Sequence, residues 1–202
     1  MISINSIAVS RGETQVIKGF SAEMKAGTIT AIIGPNGCGK STLLAAIAGD
    51  LPIASGELKI NGSDVSSFAI AELAKLRSFV LQQPVFNLAF TVQEVLAMAR
   101  TAGSTLASEM SAIAQLAISD LADRKVTQLS GGEKQRVAIA LAIAVDAPVL
   151  LLDEPLAAQD IESTTRIIEL LKSAAKAGKT IVLVAHVPES ELSWCDQIIK
   201  DF

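Results

Sequence analysis

The chain of 202 residues contains no tyrosine, one tryptophan, one histidine and two cysteines. Cys38 and Cys195 form no metal-binding or disulfide pattern, so we expect two free thiols in a reducing compartment. Acidic and basic residues nearly balance, and the formal net charge of −4 provides no long-range attraction for nucleic acid. These absences argue against a nucleic-acid partner and against a disulfide-stabilised domain.

Long apolar runs are also absent, although half of the residues are hydrophobic. The two longest runs, residues 137–145 and 149–152, end at Asp146 and Asp153. Neither approaches the roughly 20 apolar residues that span a bilayer. The first residues, MISINSIAVSRGE, alternate polar and apolar side chains and show no basic segment followed by an apolar one, so a signal peptide is not expected. The apolar residues are therefore expected to form the core of a globular domain.

Strand-like and helix-like segments alternate along the chain and predict an α/β fold. Two strand-like segments come first, and a short apolar run, residues 28–34, is typical of a buried central strand. Because strands then alternate with helices, we expect an open parallel sheet. Asn61 and Gly62 predict a turn between two short strands. Helices are predicted at residues 40–49, 66–78, 91–122 with a break at Gly103, 130–145 and 161–178, and the last strand at residues 179–186.

A glycine-rich loop between the central strand and the first helix fits the pattern G-x-x-x-x-G-K-[ST]. Glycines let backbone N–H groups turn toward a polyphosphate, and the helix N-terminus adds partial positive charge. We expect Lys40 to neutralise the β- and γ-phosphates and the Ser41 hydroxyl to bind Mg²⁺. Cys38 is interpreted as a small filler and not as a nucleophile. The predicted nucleotide-binding residues of this loop are Gly34, Pro35, Asn36, Gly37, Cys38, Gly39, Lys40, Ser41 and Thr42.

Further polar residues follow predicted strands at the edge where open α/β sheets bind ligands. Asp153 and Glu154 follow the apolar run VLLL, so Asp153 is expected to hold Mg²⁺ through water and Glu154 to accept a proton from the attacking water. His186 follows the run TIVLVA and is a candidate for contact with the γ-phosphate. Gln83 follows RSFVLQ and is a candidate for binding Mg²⁺ or positioning water.

The segment TQLSGGEKQR, residues 127–136, contains a second glycine pair. Ser130 and Glu133 match the S-x-x-E capping box of a helix N-terminus. Gly131 and Gly132 lie in the first turn, where better helix formers would stabilise the helix. We interpret the two glycines as giving an anion close access to the backbone.

The chain resembles the nucleotide-binding subunits of ABC transporters over nearly its whole length. The resemblance rests on features that occur in the family's order: GPNGCGKST, Gln83, LSGGEKQR, VLLLDEP, Asp160 and His186. The resemblance implies a P-loop NTPase (RecA-like) fold with a mostly parallel sheet core, an antiparallel N-terminal β region and an inserted helical lobe. It implies one domain, residues 1–202, with residues 1–83 and about 144–202 as the core and about 84–143 as the lobe.

The resemblance also implies an ATPase that uses ATP and Mg²⁺ and pairs head to tail with a second copy of itself. Ser130, Gly131 and Gly132 of one copy would contact the ATP of the other, with Asp160 acting across the interface. The implied catalytic residues are Lys40, Gln83, Glu154 and His186, and the implied Mg²⁺ ligands are Ser41, Gln83 and Asp153.

Within this family, the stretches ASGELKINGSDVSSF, RSFVLQQ and FTVQEVLAMAR resemble subunits that serve iron-chelate, haem and cobalamin uptake. The resemblance implies a peripheral protein at the cytoplasmic face of the plasma (inner) membrane. A groove near Gln83 would receive a permease subunit, and a solute-binding protein would be an indirect partner.

Three features depart from the family pattern. The chain has no tyrosine to stack on adenine, and Arg11 stands near that position and is a candidate for stacking through its guanidinium plane. Gln159 replaces a leucine that is usual before Asp160. The stretch WCDQIIKDF ends where relatives usually add strands and a helix, so we expect a minimal or a truncated version of the family.

Other classes of protein explain the motifs less well. A small GTPase needs the guanine-reading motif N-K-x-D, which is absent, and neither a GTPase nor a P-loop kinase explains LSGGEKQR. A non-hydrolysing regulator is disfavoured because Lys40, Glu154 and His186 are all present. A soluble ABC ATPase of the cofactor-assembly type stays open.

Overall fold

Two β-sheets of different kinds organise residues 1–200, the part of the chain that this computed structural model describes. The first sheet is antiparallel, with strand order β2-β1-β4-β5, and the second is parallel, with order β6-β7-β8-β3-β9. The strands are β1 Ile2–Arg11, β2 Thr14–Met24, β3 Ile29–Ile32, β4 Ser55–Ile60, β5 Ser63–Asp64, β6 Arg77–Val80, β7 Val149–Asp153, β8 Thr180–Val184 and β9 Gln197–Ile199.

Within residues 1–200, six α-helices connect and cover these strands. The longest, α6, is amphipathic and packs its apolar residues on the parallel sheet. None of the described helices has the length and hydropathy to cross a membrane. The helices are α1 Lys40–Ile47, α2 Ile70–Leu76, α3 Val92–Ala97, α4 Leu106–Gln115, α5 Gly131–Ala144 and α6 Ile161–Lys176.

The central strands of the parallel sheet are buried on both faces. All five residues of β7 and all five of β8 are buried, as their nearly continuous apolar sequences require. Successive side chains of a strand point to opposite faces, so β7 contributes to two cores. Leu150 and Leu152 pack in the core that includes α5 and α6, whereas Val149 and Leu151 pack in the core that includes α1 and the antiparallel sheet.

The helical segment between β6 and β7 shares its hydrophobic core with the parallel sheet. Val95 and Leu96 of α3 lie in the same cluster as Leu150 of β7. Arg100 holds the buried Glu109 through two hydrogen bonds, from Nε to Oε1 at 2.8 Å and from Nη2 to Oε2 at 2.9 Å. The segment is thus tied together by packing and by one bidentate ion pair. The division into a core and a lobe stays a prediction.

The predicted fold class is confirmed, as are the strands on either side of Asn61 and Gly62 and the break at Gly103. Both cysteines are free thiols, and burial raises the pKa of Cys195 to about 12. Two predicted elements were wrong. The helix predicted through residue 78 ends at Leu76, because Arg77 begins strand β6 beside β7.

The strand at Thr180–Val184 is not the last one, because β9 follows it and pairs in parallel with β3. The three residues of β9 are only half-buried, so they lack the apolar run that marks a central strand. The last two residues of WCDQIIKDF, at positions 201 and 202, lie outside the described residues.

Candidate functional site

The carboxyl ends of three neighbouring strands bring the main candidate residues to one edge of the sheet. Strands β7, β8 and β3 are adjacent and parallel, and the glycine-rich loop follows β3. Glu154 follows β7 and His186 lies two residues beyond β8. They meet in a cavity of about 650 Å³, a volume within the range of small-molecule sites. The cavity is lined by Arg11, Val16, Asn36, Gly37, Gly39, Lys40, Ser41, Thr42, Gln82, Glu154 and His186.

The glycine-rich loop turns the chain from β3 into α1. Gly39 caps the helix with a φ of 111°, a left-handed conformation that a residue with a side chain rarely adopts. Lys40 is buried, and its ammonium donates hydrogen bonds of 2.8 Å to the carbonyls of Gly34 and Pro35. The Cys38 sulfur lies 4.0 Å from the same nitrogen, which leaves the third donor weakly bound. A phosphate oxygen is a stronger acceptor for that donor than a thiol.

Glu154 and His186 contact each other directly. The ring Nε2 of His186 lies 2.9 Å from Oε1 of Glu154. Glu154 has a φ of 49°, which is uncommon for a residue with a side chain and marks local backbone strain. Its backbone N–H donates to the carbonyl of Val184 at the end of β8. The structure thus holds this carboxylate in place from both the backbone and the side chain.

Asp153 provides a test of whether the site suits Mg²⁺. Its side chain is buried, and Oδ1 has neither solvent contact nor a hydrogen-bond partner in the described chain. A buried unpaired carboxylate oxygen is costly, so this atom calls for a cation or an ordered water. Residues 1–200 contain no cluster of three or more His, Cys, Asp and Glu side chains for a metal. Mg²⁺ suits such a site, because it binds through one or two protein ligands, waters and phosphates. Ser41 lines the cavity and fits the ion directly, whereas Asp153 is not among the lining residues and fits it through a bridging water.

The glutamine that reaches the cavity is Gln82 and not the predicted Gln83. Gln83 instead lines a second cavity together with Gly131 and Lys134. Gln82 also lines this second cavity. Strand β6 ends at Val80, and two adjacent glutamines follow, so the pattern of the sequence does not distinguish them. The structure thus favours Gln82 over Gln83 for the predicted role. Val16 is a second lining residue that the sequence did not indicate, since it carries no polar group.

Arg11 lies where the sequence placed it, at the side of the cavity formed by the antiparallel sheet. It ends strand β1, and the hairpin to β2 brings Val16 beside it. The arginine side chain is exposed, so its guanidinium plane is accessible to a flat ring. Stacking of Arg11 on adenine stays a prediction.

The structure does not bring the residues of the second glycine pair to this cavity. Ser130 caps α5 and forms the predicted capping box with Glu133 through hydrogen bonds of 2.7 Å and 3.3 Å. Asp160 caps α6 by accepting a 2.7 Å hydrogen bond from the N–H of Ser163. We call residues 130–132 the SGG segment.

The two glycines of the SGG segment differ in their surroundings. A Cβ atom on Gly132 would lie 2.9 Å from the carbonyl oxygen of Ala158, so packing within the chain requires a glycine there. A Cβ atom on Gly131 would meet nothing within 4 Å. Gly132 therefore has an additional cause within the chain, and the interpretation that both glycines serve an anion stays a prediction.

Comparisons with known proteins agree with this geometry. The sequence profile of the family described as ABC transporter matches residues 17–157. The hemin import ATP-binding protein HmuV of Streptomyces coelicolor is 37% identical, with 98% of this chain and 73% of that protein aligned. The cobalamin import ATP-binding protein BtuD of Halobacterium salinarum is 32% identical over 98% of this chain, which spans 52% of that protein.

A solved structure is similar over nearly its whole length. It is a dimeric ATP-binding cassette in a post-hydrolysis state, bound to ADP and Pi. It superposes with a TM-score of 0.87 at 28% identity and covers 99% of this chain and 94% of its own.

Proposed function

The chain belongs to the ABC transporter family and is an ATPase, and we propose that it energises an importer of an iron chelate, a metal or a related solute. The convergence of Lys40, Glu154 and His186 on one cavity is the observation that carries the catalytic part of this proposal. The importer part is supported by the relatives named for hemin and cobalamin import.

The glycine-rich loop is proposed to hold the triphosphate of ATP. Backbone N–H groups of the loop and the N-terminus of α1 attract the phosphate charge. Lys40, held by two carbonyls beside the loop, has a donor for a β- or γ-phosphate oxygen. Ser41 at the cavity is a proposed ligand of Mg²⁺, Asp153 is proposed to hold the ion through water, and Gln82, which lines the cavity, takes the role that the sequence suggested for Gln83. When bound, the ion neutralises charge on the phosphates.

Glu154 is proposed as the group that activates water. Its carboxylate accepts a proton from the water whose oxygen attacks the γ-phosphorus, and the bond to the β-phosphate oxygen breaks to release ADP. Nε2 of His186 lies 2.9 Å from Oε1 of Glu154 and so restricts the position of the carboxylate, and His186 lines the cavity where the γ-phosphate is expected. This geometry supports the proposal that both side chains take part in the hydrolytic step.

A second copy of the chain is proposed to complete the site. Ser130 and Gly131 are exposed and lie outside the cavity of Lys40 in the same chain, so they are free to contact another nucleotide. The N-terminus of α5 carries the partial positive charge that suits a phosphate. The related cassette is a dimer in its solved structure. We infer a head-to-tail pair in which each ATP lies between Lys40 of one copy and the SGG segment of the other.

An apolar groove is the proposed contact with the membrane permease. It lies between β6, the segment that follows it and α5, with Phe79, Phe86 and Leu141 among its lining residues. Leu81 and Val85 at this groove are 51% and 73% exposed, which is costly unless a partner covers them. A short amphipathic helix of a membrane subunit has the matching chemistry. This contact would place the chain at the cytoplasmic face of the membrane, with any solute-binding protein as an indirect partner.

Purification from native membranes tests the transporter assignment. A tagged chain is expected to retain one polytopic membrane protein in detergent, together with ATP hydrolysis. Val85→Asp places a charge in the groove, so this variant should lose the membrane protein and keep the hydrolysis of the isolated chain. If the tagged parent and the Val85→Asp variant both purify without a membrane protein and remain active, a soluble ABC ATPase of the cofactor-assembly type becomes the better assignment.

A further inference from the structure

Gln159 makes two hydrogen bonds that join the loop after β7 to the start of α5. Its Oε1 accepts a bond of 3.2 Å from Nη1 of Arg136. Its Nε2 donates a bond of 3.2 Å to the carbonyl of Gly132. One amide side chain therefore bridges a side chain and a backbone group of α5. Gln159 is half-buried at this contact, so solvent competes only in part for these bonds.

The same contact is reinforced by close packing. The carbonyl oxygen of Ala158 lies only 2.9 Å from the position that a Cβ atom on Gly132 would take. Ala158 has a φ of 56°, a conformation that side chains rarely adopt and that surrounding contacts must maintain. Nη1 of Arg136 also donates to Oγ of Ser163 at 3.1 Å, in the first turn of α6. The start of α5, the loop and the start of α6 are thus held as one unit.

We propose that Gln159 is a positioning residue that fixes the SGG segment relative to Asp160. This inference rests on the proposed function, in which the SGG segment and Asp160 meet the partner copy together. A bridge that holds both at one spacing lets them dock in a single step. Without it, the two segments must be ordered separately on binding, which costs affinity.

The chemistry of the amide explains why a glutamine suits this position. A leucine, the residue usual here in the family, matches the size of the side chain but offers neither donor nor acceptor. The carbonyl of Gly132 would lose its side-chain partner, and Arg136 would retain only Ser163 for Nη1. Arg136 already has an unpaired buried Nε, so a further loss would be costly. In this chain, the bridge between the loop after β7 and α5 therefore consists of the two hydrogen bonds of Gln159.

Hydrogen–deuterium exchange of the isolated chain tests the bridge without any nucleotide. In Gln159→Leu, amides of residues 156–160 should exchange about fivefold faster or more, because the loop loses both bonds to α5. Gln159→Glu keeps the acceptor for Arg136 but has no donor for Gly132, so its loop should also exchange faster. Gln115→Leu is the matched control, since it removes a surface bond to Ser111 within α4 and neither residue takes part in this contact. Unchanged exchange in Gln159→Leu, or parental exchange in Gln159→Glu, would overturn the bridge.

ATP-driven dimerisation tests the positioning role. In a chain that carries Glu154→Gln to slow hydrolysis, adding Gln159→Leu should weaken the ATP-bound dimer about tenfold in sedimentation analysis, because the docking surface is no longer ordered in advance. The affinity of the single chain for ATP should not change, since Gln159 does not line the cavity of Lys40.

The outcomes separate the two proposals. Equal dimer affinity with and without Gln159→Leu would overturn the positioning role and leave the proposed function intact. If the Glu154→Gln parent itself does not dimerise with ATP, the head-to-tail function fails, and this role fails with it. Weaker dimerisation of the chain with both Glu154→Gln and Gln159→Leu than of its Glu154→Gln parent supports the role.

Discussion

At the scale of single residues, the cavity gains its chemistry from groups that the backbone holds in unusual positions. Glu154 combines a φ of 49° with a contact of 2.9 Å from its Oε1 to Nε2 of His186, so its carboxylate is held where an attacking water is expected. Gly39 takes a φ of 111° so that α1 can begin at Lys40. Local strain of this kind is typical of sites where geometry matters more than stability.

Replacing Glu154 by glutamine removes the proton acceptor and keeps the size of the side chain. We expect Glu154→Gln to bind ATP normally and to hydrolyse it about 10²–10⁴-fold more slowly, the usual contribution of a general base. Phosphate release under saturating ATP measures the effect. Glu162→Gln, an exposed change on α6, is the control and should hydrolyse ATP at the parental rate. Parental turnover by Glu154→Gln would remove Glu154 as the base.

The two adjacent glutamines form a matched pair of variants. Gln82 lines the cavity of Lys40 and Gln83 does not, so Gln82→Ala should lower kcat about tenfold or more, as displacement of a positioning group does. Gln83→Ala should leave kcat of the isolated chain near the parental value. Steady-state ATPase assays of both variants decide between them. The reverse order of effects would restore the assignment that the sequence suggested.

At the scale of secondary-structure elements, apolar pattern and length predicted most of the fold. The runs in β7 and β8 and the amphipathic face of α6 are local properties, and the structure has them where they were expected. Strand β9 was missed because its three half-buried residues are paired by a distant strand.

The same distinction between local and distant causes applies to the candidate site. The glycine-rich loop and Glu154 have local patterns, whereas the surroundings of Gly132 depend on Ala158, which is distant in the sequence. The choice of Gln82 over Gln83 depends on how the chain leaves β6, which no spacing of residues encodes.

The N-terminus of α5 provides a prediction about pH. The hydrogen bonds at Ser130 hold the pKa of Glu133 below its usual value. A lowered folded-state pKa gives stability that is present above the ordinary carboxyl pKa and is lost as the pH falls through the lowered value.

Glu133→Ala should therefore destabilise the chain by about 0.5–1 kcal/mol at neutral pH, the usual contribution of such a helix-terminal bond. Denaturant unfolding should show this difference shrinking below about pH 4, where carboxyl groups become protonated. Glu23→Ala, an exposed change on β2, should show no comparable trend. A difference that stays constant down to acidic pH would mean that the carboxylate of Glu133 does not stabilise α5.

At the scale of the whole molecule, the chain presents two separate features that are proposed to bind phosphate. The cavity at the carboxyl edge of the parallel sheet contains Lys40, and the SGG segment lies outside it. In the proposed head-to-tail pair, a two-fold axis would bring the SGG segment of each copy to the cavity of the other, so both features would be used twice. The site is then a property of the pair.

Mixing two inactive variants tests this shared site. Lys40→Ala removes the phosphate-binding ammonium, and Gly131→Asp places a negative charge on the SGG segment where a side chain fits without a clash. Each variant alone should be inactive, because both sites of its dimer are damaged. In an equal mixture, half of the dimers contain one intact site, so up to about a quarter of the parental activity should return. Phosphate release measures the recovery, and native mass spectrometry verifies that mixed dimers form. Only a site shared between two copies can be restored by mixing two differently substituted chains. Mixed dimers without activity, or a fully active monomer of Gly131→Asp, would therefore mean that the cavity of Lys40 and the SGG segment do not form one shared site.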